Sequence, residues 1–129
     1  MLKNLYAGFA VDDLDKAKDF YEHTLQLQLK MEGQGAIRHL IIDAPGGGCV
    51  EVYPKPDFTP AAFTVMNLVV DNIDEMVDDL SAKGVSFERY EGYAQDEKSI
   101  IRSKDPTQGP SIAWFKDPAG NVFAILEVE

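Results

Sequence analysis

Trp114-Phe115-Lys116-Asp117-Pro118-Ala119-Gly120-Asn121-Val122-Phe123-Ala124-Ile125-Leu126-Glu127 reads as strand, tight turn, strand. Pro118 fixes φ at the second turn position, and Gly120 supplies a backbone conformation that other residues resist. Apolar residues flank Asp117-Pro118-Ala119-Gly120 on both sides, as a β-hairpin requires.

Working back from this hairpin, the chain repeats itself. Ala10-Val11-Asp12-Asp13-Leu14-Asp15 parallels Val69-Val70-Asp71-Asn72-Ile73-Asp74, and Asp12 and Asp71 lie 59 positions apart. In the first half the expected strands are Lys3 to Val11, Leu27 to Met31, Ala36 to Ile42 and Gly48 to Tyr53. A helix over Leu14 to Leu25 is capped by Asp12 or Asp13, because a short carboxylate accepts from the orphan N–H groups of a first turn. Leu14, Ala17, Phe20, Tyr21 and Leu25 give it one apolar face. Pro54, Pro56 and Pro60 then interrupt, and such a run sits inside neither sheet nor helix. The order restarts with a strand over Ala62 to Val70 and a helix over Ile73 to Lys83. Asp71 or Asn72 caps that helix, and Gly84 stands at its end. A short strand over Val85 to Arg89 and a polar loop over Glu91 to Gln108 lead to the hairpin. Two βαβββ modules in one α+β domain follow: module one about 1–54, a connector over 54–60, and module two about 61–129.

Twelve Lys and Arg stand against 22 Asp and Glu, a net charge of −10. That balance repels nucleic acid phosphates and anionic membrane surfaces and favours cationic small molecules. Cys49 is the single cysteine, so no disulfide forms within the chain. No signal segment and no apolar run of membrane-span length are read, and the expected setting is cytoplasmic.

Three stretches, in order and at matching spacing, resemble the vicinal oxygen chelate superfamily, which includes glyoxalase I, the bleomycin-resistance proteins and the extradiol dioxygenases. They are Val11-Asp12-Asp13-Leu14 with Phe20-Tyr21, Val70-Asp71-Asn72-Ile73, and Phe115 to Gly120. The resemblance spans nearly the whole chain. It implies a cupped, barrel-like mixed sheet with a helix packed outside each module. Metal-using members place four ligands, usually His or Gln and Glu, on four strands. Carried over by motif, those positions are Tyr6, Glu51, Val65 and Ala124. Only Glu51 is an ordinary ligand, and Val and Ala coordinate nothing. A shift by one residue offers Thr64, Met66, Phe123 or Ile125, which does not rebuild the set. No metal or other cofactor is therefore expected. His23 is expected exposed on the first helix, and His39 is a candidate to approach Glu51.

Strand alternation places Gly8 and Ala10 with Tyr6, Cys49 and Tyr53 with Glu51, Phe63 and Asn67 with Val65, and Val122 and Leu126 with Ala124. With Trp114 or Phe115 added, the expected ligand-binding set is Tyr6, Cys49, Glu51, Tyr53, Phe63, Val65, Asn67, Trp114 and Ala124. An inward carboxylate is costly unless paired or wet. Glu51 is thus a ligand contact, a general acid or base together with Tyr6, or the ion-pair partner of Arg38. Tyr90, Tyr93, Asp96 and Glu97 lie in the long loop, read as a lid or a solvated segment. The resemblance implies a metal-free homodimer binding a cationic or aromatic small molecule. The alternative is a lyase, isomerase or oxygenase of the glyoxalase or dioxygenase type, using a non-standard metal site or Glu51 alone.

Overall fold

The structure is a computed structural model that describes residues 1–128. The chain divides into two compact units, Met1–Pro60 and Ala61 onward. The first contains β1 (Ala7–Val11), α1 (Leu14–Asp19), β2 (Leu29–Glu32), β3 (His39–Asp43) and β4 (Cys49–Pro54). The second contains β5 (Thr64–Val70), α2 (Ile73–Ala82), β6 (Ser111–Lys116) and β7 (Val122–Glu127). In the first unit the strand order is β1-β4-β3-β2, with β1 parallel to β4 and the other pairs antiparallel. In the second it is β5-β7-β6, with β5 parallel to β7 and β6 antiparallel to β7. Each unit thus pairs its first strand with its last, and that shared topology is the repeat read from Asp12 and Asp71. The α+β ladders make two mixed sheets with no closed barrel.

The caps act as their residue types dictate. Asp13 accepts from Lys16 N–H at 3.0 Å, and Asn72 accepts from Glu75 N–H at 3.0 Å. Leu14, Ala17 and Tyr21 form the buried face of the first helix, and Ile73, Val77 and Leu80 that of the second. Each helix packs on its own unit's sheet.

Several expected boundaries move. The first helix changes character at Phe20, and Phe20–Thr24 form a π-helical turn. Leu25 N–H reaches back five residues to the Phe20 carbonyl at 3.1 Å, and Gln26 leaves the helix in the left-handed region at φ 57°. The wider turn leaves Tyr21 fully buried, edge-on to Phe9 with ring centres 6.4 Å apart. The first strand starts at Ala7 rather than Lys3. Residues 35–37 form a 3₁₀ turn where β3 was expected to begin. In place of a strand over Val85 to Arg89, Phe87 alone bridges Phe115.

The closing hairpin is as expected. Gly120, at φ 92°, donates its N–H to the Asp117 carbonyl at 2.9 Å. Asn121 N–H donates to an Asp117 carboxylate oxygen at 2.8 Å, and the Asn121 amide oxygen accepts from Ala61 N–H at 3.2 Å. The turn is therefore tied to the start of its own unit.

Candidate functional site

The first unit's candidate residues centre on β4. Glu51 is half-buried, with Gly8 of β1 level with it on one side and Ile41 of β3 on the other. Cys49 and Tyr53 project from the same face two residues away, and Ala10 stands level with Tyr53. Gly8 keeps the space beside Glu51 open: a Cβ there would come within 3.3 Å of the Glu51 carbonyl oxygen. Tyr6 precedes β1 and is 58 % exposed, so Gly8, not Tyr6, is the β1 neighbour of Glu51.

The ion pair between Glu51 and Arg38 does not form. Arg38 instead donates to Asp15 at 3.2 Å. No hydrogen bond or ion pair of the Glu51 carboxylate occurs among the described residues, and its oxygens reach solvent. His39 turns its Nε2 toward Glu32, 4.0 Å away. His23 is exposed on the first helix and pairs with Asp19 at 2.9 Å.

The second unit's candidate residues, taken by themselves, form an aromatic face. Trp114 of β6 and Asn67 of β5 flank Ala124 of β7 in register, so all three share one sheet face. Phe115 lies on the opposite face, fully buried against Phe123 and Phe87. That resolves which of the two adjacent rings serves the candidate face: it is Trp114. Strict alternation along β5 does not hold, because a bulge at Val65 shifts the register. Thr64 is level with Val122 and Asn67 with Ala124, which leaves Val65 without a paired partner on β7. Phe63 precedes the strand and is 70 % exposed.

Tyr90 and Tyr93 stand against Trp114, their ring centres 5.5 and 5.7 Å from the indole. Burial, then the nearby Glu88 carboxylate, pushes the Tyr90 phenol above its usual range. Beside it Lys116 and Glu88 form an ion pair at 3.2 Å.

The loop carrying these tyrosines is held by its own hydrogen bonds. Gln95 accepts from Tyr90 N–H at 2.8 Å and donates to the carbonyls of Glu88 and Ser99 at 2.9 and 2.8 Å. Arg89 donates to the backbone carbonyls of Gln95 and Asp96 and to the Ser99 hydroxyl. Asp96 accepts from Lys98 and Ile100 N–H and from Arg102. Burial raises Asp96, but the Ile100 N–H and the Arg102 guanidinium outweigh it and hold the carboxyl below its usual range. Arg102 and Lys98 also grip Asp74 on α2. The Arg102 guanidinium foremost, opposed by burial and assisted by Lys98, holds Asp74 well below the usual carboxylate range. Glu97, read with this loop, is exposed. Gln95 was not singled out from the sequence. A lone Gln in a polar loop carries no signal until the backbone groups around it are known.

The fold and these faces define an α+β protein of two repeated modules, each presenting a sheet face with a different chemistry. The chain belongs to the Glyoxalase/Bleomycin resistance protein/Dioxygenase superfamily, whose family model matches residues 5–125. A superfamily member from Sphaerobacter thermophilus DSM 20745 has a similar structure: TM-score 0.70, 24 % identity, 98 % of both chains covered. So does TnmS3, an antibiotic binding protein from Streptomyces sp. CB03234: TM-score 0.70, 23 % identity, 100 % of this chain and 99 % of that one covered. FosX, a fosfomycin resistance protein from Listeria monocytogenes, matches at TM-score 0.70 and 12 % identity, with 100 % and 96 % covered. At these identities the likeness is one of fold. No curated protein sequence matches the chain.

The residues present do not fit the metal such members use. Val65 and Ala124 offer no lone pair, and the Ala124 position is fully buried between Asn67 and Trp114. Among the described residues, no three His, Cys, Asp or Glu side chains gather into a metal-holding group. No helix of the described residues is long and apolar enough to cross a membrane.

Proposed function

We propose that this protein binds a small molecule without a metal ion. The observation that carries the proposal is the pair Val65 and Ala124, two side chains with no lone pair standing where metal-using relatives hold ligands. The aromatic wall of Trp114, Tyr90 and Tyr93 supports it, since such rings take the flat apolar part of a ligand. The antibiotic-binding name of TnmS3 supports the ligand class. The net charge of −10 favours a cation over an anion.

Metal content per chain tests this directly. The protein is purified without tag or chelator, incubated with nickel, cobalt, zinc and manganese, and desalted. The expected result is far below one equivalent, unchanged by Glu51→Ala. Near one equivalent, abolished by Glu51→Ala, would overturn the reading.

We also propose a homodimer. The exposed apolar side chains Leu5, Tyr6, Phe63 and Val69 support it, because a second copy would cover such side chains. A clean monomer at micromolar concentration in sedimentation would refute it. A second functional reading, a metal-independent lyase or isomerase step with Glu51 as base, is supported by that carboxylate's lack of a partner among the described residues. Under it, Glu51→Gln abolishes turnover and preserves the fold; under the binding reading there is no turnover to lose.

A further inference from the structure

Glu51 opens into a hollow of about 460 Å³ within the first unit, lined by Ala36, Ile37, Arg38, His39, Glu51, Tyr53 and Pro54. Its polar groups share one bias. The Glu51 carboxylate only accepts hydrogen bonds. His39 Nδ1 lies 2.8 Å from the Ile37 carbonyl oxygen, which also only accepts. Nδ1 therefore donates there, and Nε2 faces the Glu32 carboxylate, 4.0 Å away, which adds a second acidic group beside the hollow. The Tyr53 phenol oxygen, on a 40 % exposed side chain, accepts as well. Arg38 is the one cation in the lining, and its guanidinium is directed to Asp15. Ala36, Ile37 and Pro54 supply apolar wall, with Ile37 74 % exposed.

We infer that this hollow takes the cationic end of an organic ligand, a primary ammonium or guanidinium carried on an apolar body. The ammonium N–H groups donate to Glu51, and the charge lies beside the Tyr53 ring. A half-buried carboxylate with no counter-ion among the described residues gains most from a cation brought by the ligand. Only His39 and Glu51 in this lining are ordinary metal ligands, too few to hold a divalent ion. The inference rests on the small-molecule-binding reading above and adds to it the charge and the docking point of the ligand.

The test uses two probes of one shape on the full chain, 2-phenylethylamine and neutral 2-phenylethanol, titrated by calorimetry and by amide chemical shifts. The amine is expected to bind wild type about tenfold or more tighter than the alcohol, since hydrogen bonds to charged groups are the stronger kind. Glu51→Gln should bring the amine down to the alcohol's affinity, and Tyr53→Leu should weaken the amine severalfold. Glu91→Gln removes one negative charge in the other unit and should leave the preference intact, which separates a local site from the general pull of an acidic protein. Melting curves confirm that each variant folds. Equal binding of amine and alcohol, or an amine affinity untouched by Glu51→Gln, overturns the inference and leaves the small-molecule reading standing. If neither probe binds at tens of millimolar while an aromatic compound still quenches Trp114, the cation site alone is wrong. If nothing binds and one equivalent of metal does, both readings fall.

Discussion

Gln95→Ala should loosen the aromatic wall and lower the melting midpoint by about 7 °C. The Gln95 side chain satisfies three backbone groups, the N–H of Tyr90 and the carbonyls of Glu88 and Ser99, all within 2.9 Å. Each such bond contributes about 1 kcal/mol net, and a buried group left unpaired costs up to about 3 kcal/mol. Water can reach a part-buried loop and recover some of this, so the expected loss is about 2 kcal/mol. At about 2.1 cal/mol/K of unfolding entropy per residue, 129 residues give about 0.27 kcal/mol/K, hence the 7 °C. The assay pairs a far-ultraviolet melt with the emission of Trp114, the chain's single tryptophan. As Tyr90 and Tyr93 lose their fixed places, the indole becomes wetter and its emission moves to the red. Gln95→Glu sharpens the test. It can still accept from Tyr90 N–H, but it presents oxygen to two carbonyl oxygens, so it should be no more stable than the alanine variant. A Gln95→Ala midpoint within 1 °C of wild type, with unchanged emission, would refute the claim that this side chain holds the wall.

Two further outcomes follow from the same unit. Asp74, held below the usual carboxylate range chiefly by Arg102, adds stability that is present above its unfolded pKa and is lost as pH falls through its folded one. Because the pair is 42 % exposed on each side, Asp74→Asn should lower the midpoint by only about 2–4 °C at pH 7, and that gap should narrow as pH falls below about 4; a gap that widens in acid would contradict the ion-pair account. Gly120→Ala places a Cβ at φ 92°, where an L residue is strained by about 1–2 kcal/mol, so its melt should fall by several degrees; an unchanged midpoint would mean that the Asp117 turn relaxes freely.

The parts of this fold that were legible are those that one residue type dictates locally. Asp13 and Asn72, each one of the two candidates expected, cap their helices, and Asp117 to Gly120 make the expected turn. What escaped depends on partners. The Val65 bulge is a property of how β5 meets β7, and no feature of the β5 sequence announces it. Phe87 makes a single bridge instead of standing mid-strand in Val85 to Arg89, because the segment after it turns into the Gln95 loop. The site divides in the same way. Glu51 was visible as a carboxylate at a strand position, but its freedom from Arg38 was not, since Asp15 lies 23 residues away in sequence. The tyrosines were visible as loop residues. Their role as a fixed wall needed Gln95 and Asp96, whose bonds run to backbone groups.

The contrast between positions 51 and 124 argues that the packing around Ala124 opposes a ligand carboxylate there. Both lie on the last strand of their unit, each paired in parallel with the unit's first strand. Beside Glu51 stands Gly8, and the carboxylate stays wet. Beside Ala124 stand Asn67 and Trp114, and Ala124 is fully buried. Ala124→Glu would therefore restore a ligand in name only. The new carboxyl would be crowded and desolvated, and its pKa would rise by about 3 units, a cost of about 4 kcal/mol at neutral pH. A raised folded pKa means that the penalty is present above it and is relieved as pH falls toward the unfolded value near 4.3. Urea unfolding at pH 7 and pH 4 should thus show a deficit against wild type that shrinks in acid, with a residual part from steric crowding. Equal stability at pH 7, together with new divalent-metal binding, would mean that Trp114 swings away at little cost and that the closed face is not the barrier.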